Sequence, residues 1–103
     1  MKQTELDALI EEATVDAYGD DEQRTGFYTM IEEHLDLPFE TKVLGTRVLV
    51  ERVDMNDAGE IVAVCRKGAS RQRIPILDLP LPSPAPRGAQ WIAAYRHWTR
   101  GGA

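Results

Sequence analysis

The chain has 103 residues, of which 43% are hydrophobic and 28% charged, and its 17 acidic and 12 basic side chains give a net charge of −5. This length suits one globular domain, and no apolar run approaches the roughly 18 residues that a membrane-spanning helix needs. The negative charge argues against non-specific DNA binding, and a single cysteine excludes an intrachain disulfide.

The opening residues lack the basic start and apolar stretch of a signal peptide, so we expect a cytoplasmic protein. Charge is distributed unevenly along the chain. Residues 1–40 hold 12 acids and 2 bases, a net charge of −10, whereas the remainder holds 5 acids and 10 bases, a net charge of +5. Such a field concentrates cations over the N-terminal part, and carboxylates are ligands that Ca²⁺ requires.

Apolar residues recur at intervals of three and four near the N-terminus, which predicts an amphipathic helix over Thr4–Ala17 that stops at Gly19. Asp20 is the predicted N-cap of a second helix, and Gln23 stands three residues later in the position of a capping box. We expect this helix over Asp21–Leu35. Its predicted inward residues are Phe27, Met30, Ile31 and His34 or Leu35. Residues 1–36 would thus form an acidic helical hairpin.

Beyond Pro38 the apolar residues alternate, which predicts short strands. The predicted strands are Phe39–Leu44, Thr46–Val53, Glu60–Arg66 and Arg71–Ile76. Gly45 marks a bend or bulge, Asp54–Gly59 a hairpin loop and Lys67–Ser70 a tight turn. We expect residues 38–77 to curl into a small antiparallel barrel of SH3-like or Sm-like character.

Proline dominates residues 78–88, which predicts an extended strap, either a spacer or an imitation of an SH3 ligand. A helix is predicted over residues 89–100, because its large apolar residues fall at helical spacing. They are Trp91, Ile92, Tyr95 and Trp98. We predict an α+β fold in one domain, with disorder only in the Gly101-Gly102-Ala103 tail.

The junction between the first two predicted helices concentrates carboxylates. Asp16 and the carbonyls near Tyr18 and Gly19 suit Ca²⁺, because a helix C-terminus carries unpaired carbonyls and the negative end of the helix dipole. Three further acids follow at once: Asp20, Asp21 and Glu22. Their other interpretation is helix capping, because acids in a first turn are stabilised without any metal.

A second acidic cluster lies near the end of the second helix and comprises Glu32, Glu33, Asp36 and Glu40. Glu33 is twelve residues from Asp21, about 18 Å along a helix, so the two clusters cannot grip one ion. The second cluster is either a separate site or a solvated acidic face. Residues 54–60 begin like an EF-hand loop, but Ala58 and Cys65 occupy ligand positions, which favours a hairpin turn.

Catalytic signatures are missing from the sequence. His34 and His97 form no HExxH pair, and there is no second cysteine to build a zinc site. The segment Arg66–Ser70 lacks the spacing of a phosphate-binding loop. We therefore expect no enzymatic activity.

Several segments together resemble a small family of bacterial calcium-binding proteins, known from cyanobacteria, that are not EF-hand proteins. The similar segments are Val15–Gly19 with the acids and Gln23 after it, Gly26-Phe27, Leu35–Phe39, Ile74–Ile76 and Trp91–Trp98. The resemblance implies a compact α+β protein that binds Ca²⁺ and acts as a cytosolic buffer or regulator. It implies Asp16, Asp20, Asp21 and Glu22 as ligands, with Glu32 and Glu33 as further candidates.

The leading hypothesis is therefore reversible binding of calcium ions by a non-EF-hand site, with any protein partner unidentified. The alternative is a protein- or RNA-interaction module that uses a basic edge of the barrel. That edge comprises Arg66, Lys67, Arg71 and Arg73. A third interpretation is a structural domain whose acids serve solubility.

Overall fold

Three helices and four strands make up the regular structure of residues 1–101, the part of the chain that the computed structural model describes, together with one short 3₁₀ turn. Their order is α1 (Gln3–Ala13), α2 (Asp20–His34), β1 (Phe39–Val43), β2 (Thr46–Met55), β3 (Ile61–Lys67), β4 (Ser70–Pro75), the 3₁₀ turn (Ile76–Asp78) and α3 (Ala89–Thr99). The α+β class is confirmed. Of the tail expected to be disordered, Gly101 lies in a turn, and Gly102 and Ala103 lie outside the described residues. No helix in residues 1–101 is both long and apolar enough to cross a membrane.

Helix α1 ends at Ala13, four residues before the predicted end at Ala17. The backbone N–H and the side-chain hydroxyl of Thr14 both donate to the Ile10 carbonyl, at 2.9 and 2.7 Å, and so close the last turn. Two residues later, Asp16 adopts the left-handed conformation with φ 58°. A helix cannot continue through that conformation, so the residues up to Gly19 form a connection instead.

Helix α2 begins at Asp20, and the predicted capping box is wrong. Gly19 is the N-cap, with φ 91°, and no side chain caps this end. The Gln23 side chain turns elsewhere: its amide donates to the Ala17 carbonyl at 3.5 Å, and its oxygen accepts from the Trp98 indole at 3.1 Å. The Gln23 side chain therefore bonds Ala17 and Trp98 and does not cap the start of α2.

The buried core combines residues of all three helices with residues of β2 and β3. Phe27 and Ile31 of α2 are fully buried, as predicted, and Leu35 closes the same face, whereas His34 is exposed. The Phe27 ring lies 5.5 Å from the Tyr95 ring and 5.3 Å from the Trp98 ring, between centroids. Helix α1 contacts both other helices. The aromatic stripe of α3 thus docks on the core.

The strands form a meander in the order β1-β2-β3-β4, with each neighbouring pair antiparallel. A bulge interrupts the pairing of β2 with β3 between Val50 and Arg52. In the described residues the sheet is open, with β1 and β4 at its edges. A barrel needs its first and last strands to pair. The predicted SH3-like or Sm-like barrel is therefore not confirmed, although each predicted strand is present within two residues of its expected bounds.

The proline-rich strap joins the sheet to α3 without forming helix or strand between Leu79 and Arg87, apart from isolated bends and turns. Its Pro80 carbonyl accepts a hydrogen bond from the buried hydroxyl of Thr41 on β1, at 2.6 Å. Its Arg87 carbonyl accepts from the Asp36 N–H at 2.8 Å. These bonds hold the strap along an edge of the sheet and bring α3 back to the helices.

Candidate metal centre

The connection between α1 and α2 is held close to the side of α2. Gly26 of α2 faces the carbonyl of Ala13, the last residue of α1, and a Cβ at this glycine would overlap that oxygen. Behind the close approach, the chain turns through a hydrogen bond from the Ala17 N–H to the Thr14 carbonyl, at 3.0 Å. The residues after α1 are consequently folded back beside the first two turns of α2.

Three carboxylates share the hollow that this turn creates. Asp16 comes from the connection, whereas Asp21 and Glu22 come from the start of α2. The hollow has a volume of about 410 Å³ and is open to solvent. Its remaining lining residues are Ala13, Val15, Ala17, Thr25, Gly26 and Thr29. Two segments that are separate in secondary structure therefore present carboxylate oxygens to one space.

Each acid of α2 in the hollow already has a partner. Glu22 Oε2 accepts the Tyr18 backbone N–H at 2.9 Å, which holds the connection against the helix. Asp21 Oδ1 lies 3.6 Å from an Arg24 guanidinium nitrogen, and the Asp21 side chain is fully exposed. An exposed ion pair of this kind contributes little to stability, so a divalent cation can displace Arg24 from Asp21.

The carbonyls predicted as ligands also take part in local bonds. The Gly19 carbonyl accepts the Gln23 N–H at 3.1 Å, in the first turn of α2. The Ala17 carbonyl, next to Tyr18, accepts the Gln23 side-chain amide at 3.5 Å. A carbonyl oxygen has two lone pairs, so one such bond leaves it able to bind a cation. Neither Tyr18 nor Gly19 is among the residues that line the hollow, and the Tyr18 side chain is 81% exposed.

Thr25 and Thr29 also line the hollow, although the sequence did not identify them as candidate site residues. They follow Asp21 at intervals of four residues, and residues four apart lie on one face of a helix. That spacing was the available signal. Their hydroxyls already donate to carbonyls one turn earlier, Thr25 to Asp21 and Thr29 to Thr25. They contribute polar oxygen to the wall of the hollow.

The hollow fits Ca²⁺ in its donor chemistry but is not a finished cage. Ca²⁺ takes about six to eight oxygen ligands at roughly 2.3 to 2.6 Å. Across residues 1–101, no three His, Cys, Asp or Glu side chains lie close enough together to hold a metal ion. Rotation of exposed side chains such as Asp16 and Asp21 would have to complete the coordination.

The other predicted ligands lie elsewhere. Asp20 borders a separate depression with Arg24 and Trp98, on a different side of α2. Glu32 Oε2 accepts the Tyr28 hydroxyl at 2.8 Å, and Glu33 is exposed. The structure therefore does not bring Asp20, Glu32 or Glu33 into the hollow of Asp16.

The EF-hand-like segment is a hairpin turn, as predicted. Asn56 Oδ1 accepts the N–H groups of Ala58 and Glu60, at 3.0 and 2.9 Å. The Asn56 N–H in turn donates to the Glu60 carbonyl at 3.0 Å. This side chain holds the turn together by bonding the backbone, so the segment needs no ion to keep its shape.

Most of the basic edge is neutralised within the sheet. Glu51 lies at the bulge of β2, where its carboxylate contacts Arg71 at 2.8 Å and Arg66 at 3.2 Å. Arg73 lies 3.2 Å from Asp54. The hydrogen bond from Arg71 holds the pKa of Glu51 below its usual range. Of the four basic residues, only Lys67 has no ion pair within the described part of the chain.

A family described as calcium binding, CcbP, has a model that matches residues 7–99. No curated protein matches the chain, and no solved structure does so either. The matched segment runs from the middle of α1 to the end of α3 and includes the whole acidic junction. Calcium is thus the ion whose ligand requirements the carboxylate hollow should meet. Because the match extends over nearly all of its 103 residues, the chain belongs to the calcium-binding CcbP family.

Proposed function

We propose that the protein binds Ca²⁺ reversibly in the hollow between the end of α1 and the start of α2. Asp16, Asp21 and Glu22 would supply the carboxylate oxygens, and the carbonyls near Tyr18 and Gly19 would complete the coordination. One observation carries this proposal: carboxylates from two segments of the acidic junction line the same space. The family's ion and the net charge of the N-terminal part point the same way.

Binding would exchange local partners for the metal. Ca²⁺ would take the Asp21 carboxylate away from Arg24, and it would compete with the Tyr18 N–H for Glu22. Because the ligands are exposed and only partly arranged, ordering them costs free energy. We therefore expect a dissociation constant in the micromolar to sub-millimolar range, which is the range of sensors and weaker sites.

The proposed role is that of a cytosolic buffer or regulator without enzymatic activity. A regulator must change shape or charge when the ion binds, and the hollow offers both changes at the point where α1 and α2 meet. Asp20, Glu32 and Glu33 stay outside this primary site. They could serve only a separate, weaker ion, since their side chains face other surroundings.

Calorimetric titration of metal-free protein with CaCl₂ tests the proposal. The double variant Asp16→Asn with Asp21→Asn should bind Ca²⁺ at least about tenfold more weakly, since each carboxylate contributes directly to the affinity. The matched control is Asp57→Asn with Asp78→Asn, which removes two exposed acids from other parts of the chain. The control should bind Ca²⁺ with nearly wild-type affinity.

The two double variants also separate coordination from overall charge. If both weaken Ca²⁺ binding equally, the effect comes from the net charge and the assigned site is wrong. If neither does, the ion binds elsewhere. Absence of any heat or NMR shift at millimolar Ca²⁺ would remove the calcium function itself from this chain.

The interaction-module alternative has less support. Three of its four basic residues are paired with Glu51 or Asp54, which reduces the positive field available to RNA. A salt-sensitive gel shift with RNA, in the absence of any response to Ca²⁺, would favour that alternative.

A further inference from the structure

A second hollow lies at the opposite end of the sheet from the β2–β3 loop, where the β1–β2 and β3–β4 turns stand side by side. Its volume is about 350 Å³, within the range of small-ligand pockets. Every lining residue belongs to a strand or to the β1–β2 turn, and none to a helix. The apolar members are Val43, Leu44, Val48 and Ile74.

This hollow continues the core-facing side of the sheet beyond the cover of the helices. Cys65 lies in its wall and is only 4% exposed, and Val43, Val48 and Ile74 pack against the buried core while remaining partly open. Helix α2 contacts β2 near Val53, toward the other end of that strand. The apolar surface at the turn end is therefore left uncovered.

Leu44 makes the rim of the hollow unusual. It is 100% exposed, although it is a large apolar residue at the tip of a turn. Its φ of 50° is left-handed, a conformation that strains side-chain-bearing residues and favours Gly, Asn or Asp. Neither burial nor backbone preference accounts for leucine here, and strain of this kind persists at ligand-contacting positions.

The charge of the lining selects the ligand. Lys67 is the one charged residue in the wall, beside the uncharged Thr46, Ser70 and Gln72. In the described residues it has no acidic partner, while the neighbouring Arg66 and Arg71 are held by Glu51. The part of the chain beyond residue 40 also carries a net charge of +5, which attracts anions.

We propose that this hollow binds a straight-chain aliphatic carboxylate. The chain would lie on Val48 and Ile74, the Leu44 side chain would cover it, and the carboxylate would meet the Lys67 ammonium. An apolar wall with one cation at its rim is the arrangement that an anionic amphiphile complements. This site is separate from the calcium hollow and does not depend on it.

Titration of ¹⁵N-labelled, metal-free protein with hexanoate, heptanoate and octanoate tests the proposal. We expect saturable shifts confined to the amides of the hollow, with affinity rising by up to about fourfold per added methylene. Lys67→Met should weaken octanoate binding by up to about fivefold and leave 1-octanol binding unchanged. Lys42→Met is the matched control, because Lys42 is exposed and does not line this hollow.

Leu44→Asn supplies an independent variant, since Asn tolerates the left-handed conformation and should fold normally. It should weaken octanoate and 1-octanol alike. Alkylation of Cys65, the single cysteine, should slow as octanoate fills the hollow.

Three outcomes would overturn the proposal. Octanoate could shift no amide in the hollow, which would leave this surface to a protein partner. Lys67→Met and Lys42→Met could weaken octanoate equally. Sedimentation could reveal a dimer that Leu44→Asn abolishes, which would assign the surface to a second copy of the chain.

Discussion

The indole N–H of Trp98 donates to the side-chain oxygen of Gln23 at 3.1 Å, and this bond ties the end of α3 to the first turn of α2. The Arg24 guanidinium lies over the same indole ring, 5.6 Å from its centroid. Arg24 is also the partner of Asp21 in the proposed calcium site. Arg24 therefore connects the Asp21 carboxylate with the Trp98 ring.

Calcium binding should change the fluorescence of Trp98. If Ca²⁺ takes Asp21 from Arg24, the cation above the indole is released from one of its two contacts. Trp91→Phe leaves Trp98 as the only tryptophan, and its emission should respond with the same midpoint as the calorimetric titration. In the converse variant, Trp98→Phe, the response should be much smaller. Equal responses from the two proteins would contradict a link through Arg24.

Gly26→Ala should destabilise the protein by about 1 to 3 kcal/mol, as overpacking does. Helix propensity alone predicts the opposite sign, a gain of up to about 1 kcal/mol for alanine over glycine. The overlap of the new Cβ with the Ala13 carbonyl decides the sign. Urea unfolding measures it, with Glu33→Ala on the exposed face of α2 as the control. A stabilised Gly26→Ala protein would show that α1 does not approach α2 so closely.

Glu51 should make stability fall in acid. Its hydrogen bond from Arg71 lowers the pKa of the folded-state carboxyl. A lowered pKa stabilises the fold above the unfolded-state value of about 4.3, and the contribution disappears as the pH falls through the folded value. The difference in urea midpoint between wild type and Glu51→Gln should thus be present at pH 7 and shrink below about pH 4. A difference that is constant with pH would contradict this origin.

Tyr28 should lose its hydroxyl proton at a higher pH than an ordinary tyrosine does. Burial, followed by its hydrogen bond to Glu32, raises the pKa of Tyr28 to about 12. A raised pKa stabilises the fold below the unfolded value of about 10, and this contribution is lost as the pH rises toward the folded value. In ultraviolet titration, Tyr28→Phe should remove the tyrosine ionisation step near pH 12. Glu32→Gln should move it only part of the way toward about 10, because burial remains.

Local patterns in the sequence were sufficient for most of the elements. Helical spacing located Phe27 and Ile31 on the buried face of α2, and alternation located the four strands, because both periods follow from backbone geometry alone. The acidic junction was also visible as composition. The Asn56 turn was predicted correctly, since its side chain bonds its own backbone.

Features that depend on contacts between distant residues could not be predicted from these local patterns. The loss of the Gln23 cap reflects the bond of that side chain with Trp98, and the close approach of Ala13 to Gly26 depends on how α1 packs on α2. The openness of the sheet depends on whether β1 reaches β4, which no local pattern states.

The sequence by itself determined which residue types were present for calcium: oxygen ligands crowded at one junction, and none of the chemistry of a zinc site. Only the tertiary structure decided which of those acids share a space. It placed Asp16 with Asp21 and Glu22, and it directed Asp20 to the side of Trp98. The physical reason is the turn after Ala13, because its left-handed Asp16 and the packing of Ala13 on Gly26 bring the connection beside α2, where successive residues of the helix face different directions.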